Sequence, residues 1–310
     1  MTEPIQNIPT NIISGFLGVG KTTAILSLSE NKPANQKWAV LVNEFGKIGI
    51  DGYIYQSNGI TVKQIPGGCI CCAQGLPMLM AVNRLLRETM PDRLIIESSG
   101  IGHPAGVLKT LTADNFKTVL TIKAGICVVD ARHLSHPAYQ RNDLFKEQLQ
   151  IADILVANKI DLANDDDLKA FDKLANSFSP TKELVETTSN GLLDTLWLDY
   201  PHTARYQNES FAITPEKQPV PQSEHWQTHT FSFSKDTLFD IQALKICLLK
   251  IKLARIKGLI QTKDVCYLVN CVNGQVDFKP FDDPTSNYLE VINETINVSE
   301  LDQAISLCII

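Results

Sequence analysis

Short apolar, β-branched runs punctuate the first two-thirds of the chain, at residues 11–14, 37–43, 61–65, 93–97, 121–129 and 153–157, and they read as strands. Between them, residues 22–29, 76–89, 106–112, 144–150 and 165–176 carry the texture of amphipathic helices. In the second of these, Leu76, Leu79, Met80, Val82 and Leu86 recur near helical spacing. Strands that alternate with helices predict an α/β fold: a doubly wound, mostly parallel sheet with helices on both faces. Ligands in such sheets bind beyond the carboxyl ends of the strands.

The texture changes after residue 199, where prolines and polar residues accumulate up to about 224; this reads as a linker. A smaller α+β domain follows. Residues 228–233 alternate like a strand, and Leu238, Ile241, Leu244, Leu248 and Ile251 form a helical stripe over 238–253. Strands are predicted at 265–270 and 275–278, with a turn at Val272-Asn273-Gly274. A capping-box-like Ser299-Glu300-Leu301-Asp302 opens a last helix that runs through Cys308. The organisation expected is therefore a first domain over 1–200, a linker over 201–225 and a second domain over 226–310.

Composition narrows the function classes. With 310 residues, 44% hydrophobic and 20% charged, the chain is that of an ordinary globular protein. A formal charge of −6 argues against nucleic acid or an anionic membrane as a main partner, since both require a basic face. No apolar run has the length of a membrane span and the first nine residues carry no secretion signal, so a cytoplasmic location is expected. Eight cysteines are present; three crowd into Cys69-Ile70-Cys71-Cys72. Such a cluster in a cytosolic chain points to metal binding or catalysis, while the five dispersed ones read as buried small hydrophobes.

The first strand runs into Gly15-Phe16-Leu17-Gly18-Val19-Gly20-Lys21-Thr22-Thr23, which satisfies the phosphate-loop pattern G-x-x-x-x-G-K-[ST] between a strand and a helix. Glycines let successive N–H groups turn inward on an anion. Lys21 would neutralise β/γ-phosphate charge, Thr22 would offer its hydroxyl to Mg²⁺, and the helix N-terminus adds its dipole. Asn158-Lys159-Ile160-Asp161 follows the run ending at 157 and has the N-K-x-D form of a guanine-reading loop. Asp161 can accept from the ring N–H and the exocyclic amine of guanine, a donor pair that adenine lacks, and a site built on such donors rejects the analogue without them. Asn158 can organise that loop and contact the base, and the Lys159 stem can cover the base's face. Glu97, at the end of an apolar run and before Ser98-Ser99-Gly100, is placed to act on Mg²⁺ through water or to position an attacking water.

Two further stretches carry chemistry. Residues 42–51 include the acids Glu44 and Asp51 with glycines at 46 and 49; they suit a nucleotide-sensing segment near the metal, and equally a solvated loop. Cys69, Cys71 and Cys72 follow Pro66-Gly67-Gly68. Thiolates are soft ligands that favour Zn²⁺, Cu(I) and other thiophilic ions. C-x-C-C supplies at most three ligands, which leaves a fourth position to Glu44, a histidine or water. A redox dithiol is the alternative reading of the same three residues.

Taken together and in this order, the phosphate loop, Val42-Asn43-Glu44-Phe45-Gly46, Gly67-Gly68-Cys69-Ile70-Cys71-Cys72, Glu97-Ser98-Ser99-Gly100 and Asn158-Lys159-Ile160-Asp161 resemble the CobW-type family of metal-chaperone GTPases. Arg255-Ile256-Lys257-Gly258 looks like the family's R-x-K-G element. The resemblance implies a P-loop NTPase fold and slow, metal-responsive GTP hydrolysis with Mg²⁺. It also implies Zn²⁺, or next Co²⁺, held by Cys69, Cys71 and Cys72 with Glu44 in support, and delivery to a client metalloprotein. By the same resemblance Lys21 and Glu97 act in hydrolysis, and Thr22 and Asp51 serve Mg²⁺. Gly15, Gly18, Val19, Gly20, Thr23, Asn158, Lys159 and Asp161 hold the nucleotide. A homodimer is compatible with the family, and the client is not readable from the sequence. A histidine-rich loading tract is absent; His202, His225 and His229 are scattered and read as surface residues. The competing function is a thiol redox sensor or metal-buffering module built on a nucleotide-binding fold.

Overall fold

The computed structural model describes residues 5–42, 55, 60–64, 76–100, 103–135, 139, 142–203, 227–251, 253–272, 274–281, 287–293 and 295–310. The chain divides into two compact units, Met1–Pro219 and Val220–Ile310.

In the first unit, strands β1 (Ile8–Ser14), β2 (Trp38–Val42), β3 (Thr61–Gln64), β4 (Arg93–Glu97), β5 (Leu120–Ile122), β6 (Ile126–Asp130), β7 (Ile154–Asn158) and β8 (Leu184–Thr187) form one sheet. Its order is β3-β2-β4-β1-β6-β7-β8, with β5 also beside β1, and every pairing is parallel. Helices α1 (Lys21–Glu30), α2 (Leu76–Thr89), α3 (Pro104–Leu111), α4 (Asp143–Ile151) and α5 (Asp165–Asn176) connect the strands. The apolar runs are continuous rather than alternating because β2, β4, β6 and β7 are buried along their whole length, as strands covered on both faces must be. One face packs Ile12, Leu41, Leu94 and Ile96 against Met78, Val82 and Leu85 of α2 and Val107 and Leu111 of α3. The sheet order reverses about β1, with β4 on one side and β6 on the other. That topology opens a crevice at the carboxyl end of β1.

One predicted strand, 121–129, is two. Thr10 and Ile13 of β1 pair with Ile122 and Ile126, so three residues of the neighbour face two of β1. The groups freed at this bulge are claimed elsewhere: the Ala124 carbonyl accepts from Asn11 Nδ2 at 2.9 Å, and Gly125 N–H donates to Asp153 Oδ2 at 2.8 Å. β8 was not predicted; it is short, and most of it is exposed.

The second unit is an antiparallel sheet of β9 (Gln227–Ser232), β10 (Arg255–Gln261), β11 (Cys266–Val272), β12 (Gln275–Phe281) and β13 (Tyr288–Asn293), in the order β12-β11-β10-β13-β9. Helices α6 (Ile241–Lys250) and α7 (Val298–Ser306) bury Leu244, Leu248, Leu301 and Ile305 with Ile256, Ile260, Leu289 and Val291 of the sheet. α6 is shorter than the stripe over 238–253. Asp240 caps it through the N–H groups of Gln242 and Ala243, while Leu238 and Phe239 bond the chain at Ile309 and Ile310. α7 starts earlier than expected, because Asn297 rather than Ser299 caps it, accepting from Glu300 N–H. No helix among the described residues is long and apolar enough to cross a membrane.

Candidate functional site

The crevice at β1 is lined by the turn from Gly15 to Gly20. Gly15 has φ +140°, and a Cβ there would lie 2.2 Å from the Val128 carbonyl oxygen; Gly20 has φ +103°, and its Cβ would lie 2.5 Å from Asn158 Nδ2. Only glycine meets both demands, of conformation and of clearance. Gly20 precedes α1 in the left-handed region, so the chain enters the helix with its first N–H groups directed out of the N-terminus. Gly18 is partly accessible, Val19 and Phe16 are buried and Thr23 is exposed. Phe16 anchors the turn from beneath, edge-on to Tyr139 at 5.0 Å and to Phe145 of α4 at 6.3 Å between centroids.

Lys21 is buried, and its ammonium donates to the carbonyls of Gly15 at 2.9 Å and Phe16 at 3.0 Å. The lysine head therefore lies within the ring of the turn. Thr22 Oγ1 donates to Glu97 Oε1 at 3.0 Å, so the helix start and the end of β4 converge although 75 residues separate them. Glu97 also accepts from the hydroxyl of Tyr55, 2.7 Å from its Oε2, and both residues are buried. Tyr55 was missed by sequence reasoning; one of two tyrosines in Tyr53-Ile54-Tyr55-Gln56, it gives no signal of the carboxylate it meets. Past β4, Gly100 packs against Leu17, where a Cβ would be 2.6 Å from the leucine side chain, and its carbonyl accepts from Gln148 of α4.

At the end of β7, Asn158 Nδ2 donates to the Val19 carbonyl at 2.8 Å, and its Oδ1 accepts from Gly191 N–H at 3.0 Å. Lys159 adopts a left-handed φ of +61° and donates to the Gly18 carbonyl at 2.6 Å. Two residues read from sequence as base-contacting thus bind the phosphate turn itself, and Asp161, in the following turn, is exposed. The segment after β8 joins them: Thr188 N–H bonds the Ala157 carbonyl, and Gly191 lies against the backbone of Ala24. Asp130, at the end of β6 and in register with Asn158, is a second residue missed. Its carboxylate lies 3.3 Å from Lys159 Nζ.

Glu44, Asp51, Cys69, Cys71 and Cys72 lie outside the described residues, as does His225. Among the described residues no group of three or more His, Cys, Asp or Glu is arranged to hold a metal. Of the dispersed cysteines, Cys127, Cys266, Cys271 and Cys308 are buried as expected, and Cys247 is only half-buried. Burial pushes the Cys127 thiol up to about 11; burial and then the neighbouring Cys247 push Cys308 up to about 12. His202 is not the surface residue expected: its Nδ1 lies 2.8 Å from Asp153 Oδ2 and most of its ring is covered. His229 packs edge-on to Phe231 at 4.6 Å.

Known proteins match this chain along both units. A family model described as "CobW/HypB/UreG, nucleotide-binding domain" covers residues 9–186, and one described as "Cobalamin synthesis protein cobW C-terminal domain" covers 228–309. The chain is 35% identical over 280 residues to the zinc chaperone YeiR of Escherichia coli (strain K12), spanning 84% of this chain and 85% of YeiR. It is 25% identical over 307 residues to the zinc chaperone CobW of Sinorhizobium sp, spanning 87% and 86% of the two. To the zinc-regulated GTPase metalloprotein activator 1 of Dictyostelium discoideum it is 28% identical over 222 residues, 60% of this chain and 46% of that protein. The first model takes in nearly all of β1 to β8, and with them the phosphate turn, the end of β4 and the loop after β7; the chain belongs to the CobW/HypB/UreG family.

Proposed function

We propose that this protein is a GTP-hydrolysing metallochaperone that carries a thiophilic divalent ion, Zn²⁺ in preference to Co²⁺, and delivers it to a client protein. The observation that carries the nucleotide half is the joining of Asn158 and Lys159 to the carbonyls of Val19 and Gly18. It makes one body of the loop with guanine-reading chemistry and the loop with phosphate-binding chemistry. Asp161, exposed beside it, is the acceptor for the two donors of guanine, and selectivity against adenine follows from leaving that carboxylate unpaired. Relatives named as zinc chaperones and as a zinc-regulated GTPase support both hydrolysis and the cargo.

Thr22 Oγ1 and the Glu97 carboxylate form an all-oxygen pair 3.0 Å apart, the donor chemistry that suits Mg²⁺. Asp51 is proposed as a further group for it. Mg²⁺ bound there supplies charge neutralisation at the β- and γ-phosphates. Lys21 binds phosphate charge at a fixed place, because the Gly15 and Phe16 carbonyls hold its ammonium. Glu97, oriented by Thr22 and Tyr55, holds the attacking water. The cargo is assigned to Cys69, Cys71 and Cys72 with Glu44 in support, an incomplete shell suited to an ion that must leave again.

Metal and nucleotide are then linked, and linkage is reciprocal: if the GTP form binds Zn²⁺ more tightly, the Zn²⁺ form binds GTP more tightly by the same factor. Zn²⁺ titration of the anaerobic protein, with a non-hydrolysable GTP analogue and with GDP, tests this. A tighter site with the analogue is expected. Equal affinities, or GTPase rates that do not respond to any of Zn²⁺, Co²⁺, Ni²⁺ and Mn²⁺, overturn the chaperone reading. A reversible disulfide among the three cysteines with no nucleotide dependence establishes the redox alternative instead.

A further inference from the structure

Lys159 is bonded at its head from two sides. One partner is the Gly18 carbonyl at 2.6 Å; the other is Asp130 Oδ2 at 3.3 Å. The Asp130 side chain is 1% exposed, and a buried carboxylate requires compensation from every direction. Arg132 provides it with a two-pronged grip, Nε to Oδ1 at 2.9 Å and Nη2 to Oδ2 at 2.7 Å, and the Arg132 N–H adds a third bond to Oδ1 at 3.3 Å. His133 Nδ1 stands 3.9 Å away. Burial alone would raise the Asp130 carboxyl, but Arg132, Lys159 and His133 more than offset it and hold the group below its ordinary value. The carboxylate is therefore charged and oriented at neutral pH, with Oδ2 shared between Arg132 and Lys159.

Lys159 needs such a restraint. A left-handed backbone is unfavourable for a lysine, and it persists only where surrounding contacts determine it. That conformation turns the chain from β7 toward Asp161, so it sets where the guanine acceptor sits. Among the residues described, Asp130 is the anion at the lysine head, and the strand register that pairs Asp130 with Asn158 places it there.

We infer that Asp130 is a positioning residue for base recognition: oriented by Arg132, it holds Lys159 on the Gly18 carbonyl and thereby aligns residues 158–161 to read guanine. The inference deepens the GTP reading and rests on it. It acts through Lys159, which predicts non-additivity. Displacement of a fluorescent GDP analogue from the full chain, by GDP and by ADP, measures the effect. Asp130→Asn and Lys159→Met should each weaken GDP by about 10- to 100-fold, the range for hydrogen bonds to charged groups. The double variant should be no weaker than the worse single one. The preference for GDP over ADP should fall by the same factor, about 10- to 100-fold, in Asp130→Asn, because ADP makes no use of the aligned loop.

A purely structural role gives other results. General loosening weakens GDP and ADP alike and leaves their ratio unchanged, and independent packing effects multiply in the double variant; either outcome overturns the assignment. Should Asp130→Asn fail to fold, Arg132→Met keeps the question open to measurement, since it removes the orienting grip but leaves the anion. It should then cost about 3- to 10-fold in GDP affinity, and wild-type affinity and selectivity in that folded variant likewise refute the role. A wild-type protein that binds ADP as tightly as GDP instead refutes the GTP reading itself.

Discussion

Strands β4 and β7 each bring a buried polar group to both of their ends, and the two ends differ in what those groups bond. At the amino end of β4, Arg93 donates to Asn11 Oδ1 at 2.7 Å, to the Leu198 carbonyl at 3.1 Å and to Asp199, and it lies 5.5 Å over the Trp38 ring. Just before β7, Asp153 accepts from Gly125 N–H, from the N–H and hydroxyl of Thr203, and stands against His202. These partners tie residues 198–203 back across the start of the sheet. At the carboxyl ends, Glu97 and Asn158 bond Thr22 at the start of α1, Val19 of the phosphate turn and Gly191. Arg93, Asp153, Glu97 and Asn158 are all buried, so burial does not mark function. The sheet's polarity does.

The contrast can be broken most sharply at Lys21. Lys21→Ala should weaken GDP binding by about 100-fold or more, through loss of charge-assisted contacts to phosphate, while its urea midpoint stays near that of wild type; a collapse in stability instead would make the carboxyl end structural too. Arg93→Met should show the opposite behaviour. It leaves Asn11 Oδ1 and the Leu198 carbonyl without this donor and should cost about 2–4 kcal/mol in urea unfolding, with GDP affinity of the folded fraction unchanged. Tyr55→Phe sharpens the picture within the carboxyl end. Glu97 keeps Thr22 but loses the phenol, and kcat for GTP should fall about 3- to 10-fold with KM little changed; a shift in KM alone would place Tyr55 in binding.

The smallest effect concerns His103, which opens α3. Its Nδ1 lies 2.6 Å from Glu147 Oε2, and the Ala105 N–H donates to the other oxygen at 3.1 Å. The hydrogen bond to Glu147 raises the His103 pKa above the ordinary 6.5, burial opposes it, and the charge of Glu147 adds to the rise. A group whose folded value is raised stabilises fully below its unfolded value and loses that contribution as pH rises through the folded one. Wild type should therefore lose stability from about pH 6.5 upward, by less than about 1 kcal/mol because the ring is more than a third exposed. In His103→Gln this slope should vanish from the pH dependence of the urea midpoint.

The phosphate turn, the guanine-type loop and the end of β4 were legible because each packs its chemistry into a few adjacent residues at a strand end. Asp130 and Tyr55 were not. Each meets a partner far along the chain, 42 residues away for Tyr55 and Glu97, and for Asp130 it is the parallel register of β6 and β7 that brings Lys159 near. In the second unit, β10 escaped because Arg255, Lys257 and Gly258 interrupt its apolar pattern. The structure shows why they are tolerated: Lys257 is buried opposite Glu290 of β13, and Gly258 passes so close to β13 that a Cβ would meet the Tyr288 carbonyl oxygen at 2.1 Å.

Gly20, Asn158 and Gly191 close on one another: the space a Cβ would need at Gly20 is filled by the Asn158 amide, whose oxygen is in turn held by the Gly191 N–H. For a lineage accumulating substitutions, these three codons behave as one locus. A side chain at position 20 would be tolerated only after position 158 had shortened, and a shorter residue at 158 would strand the amide of 191. Each intermediate is worse than either end, so drift stalls there, and the three positions are expected to change together or not at all.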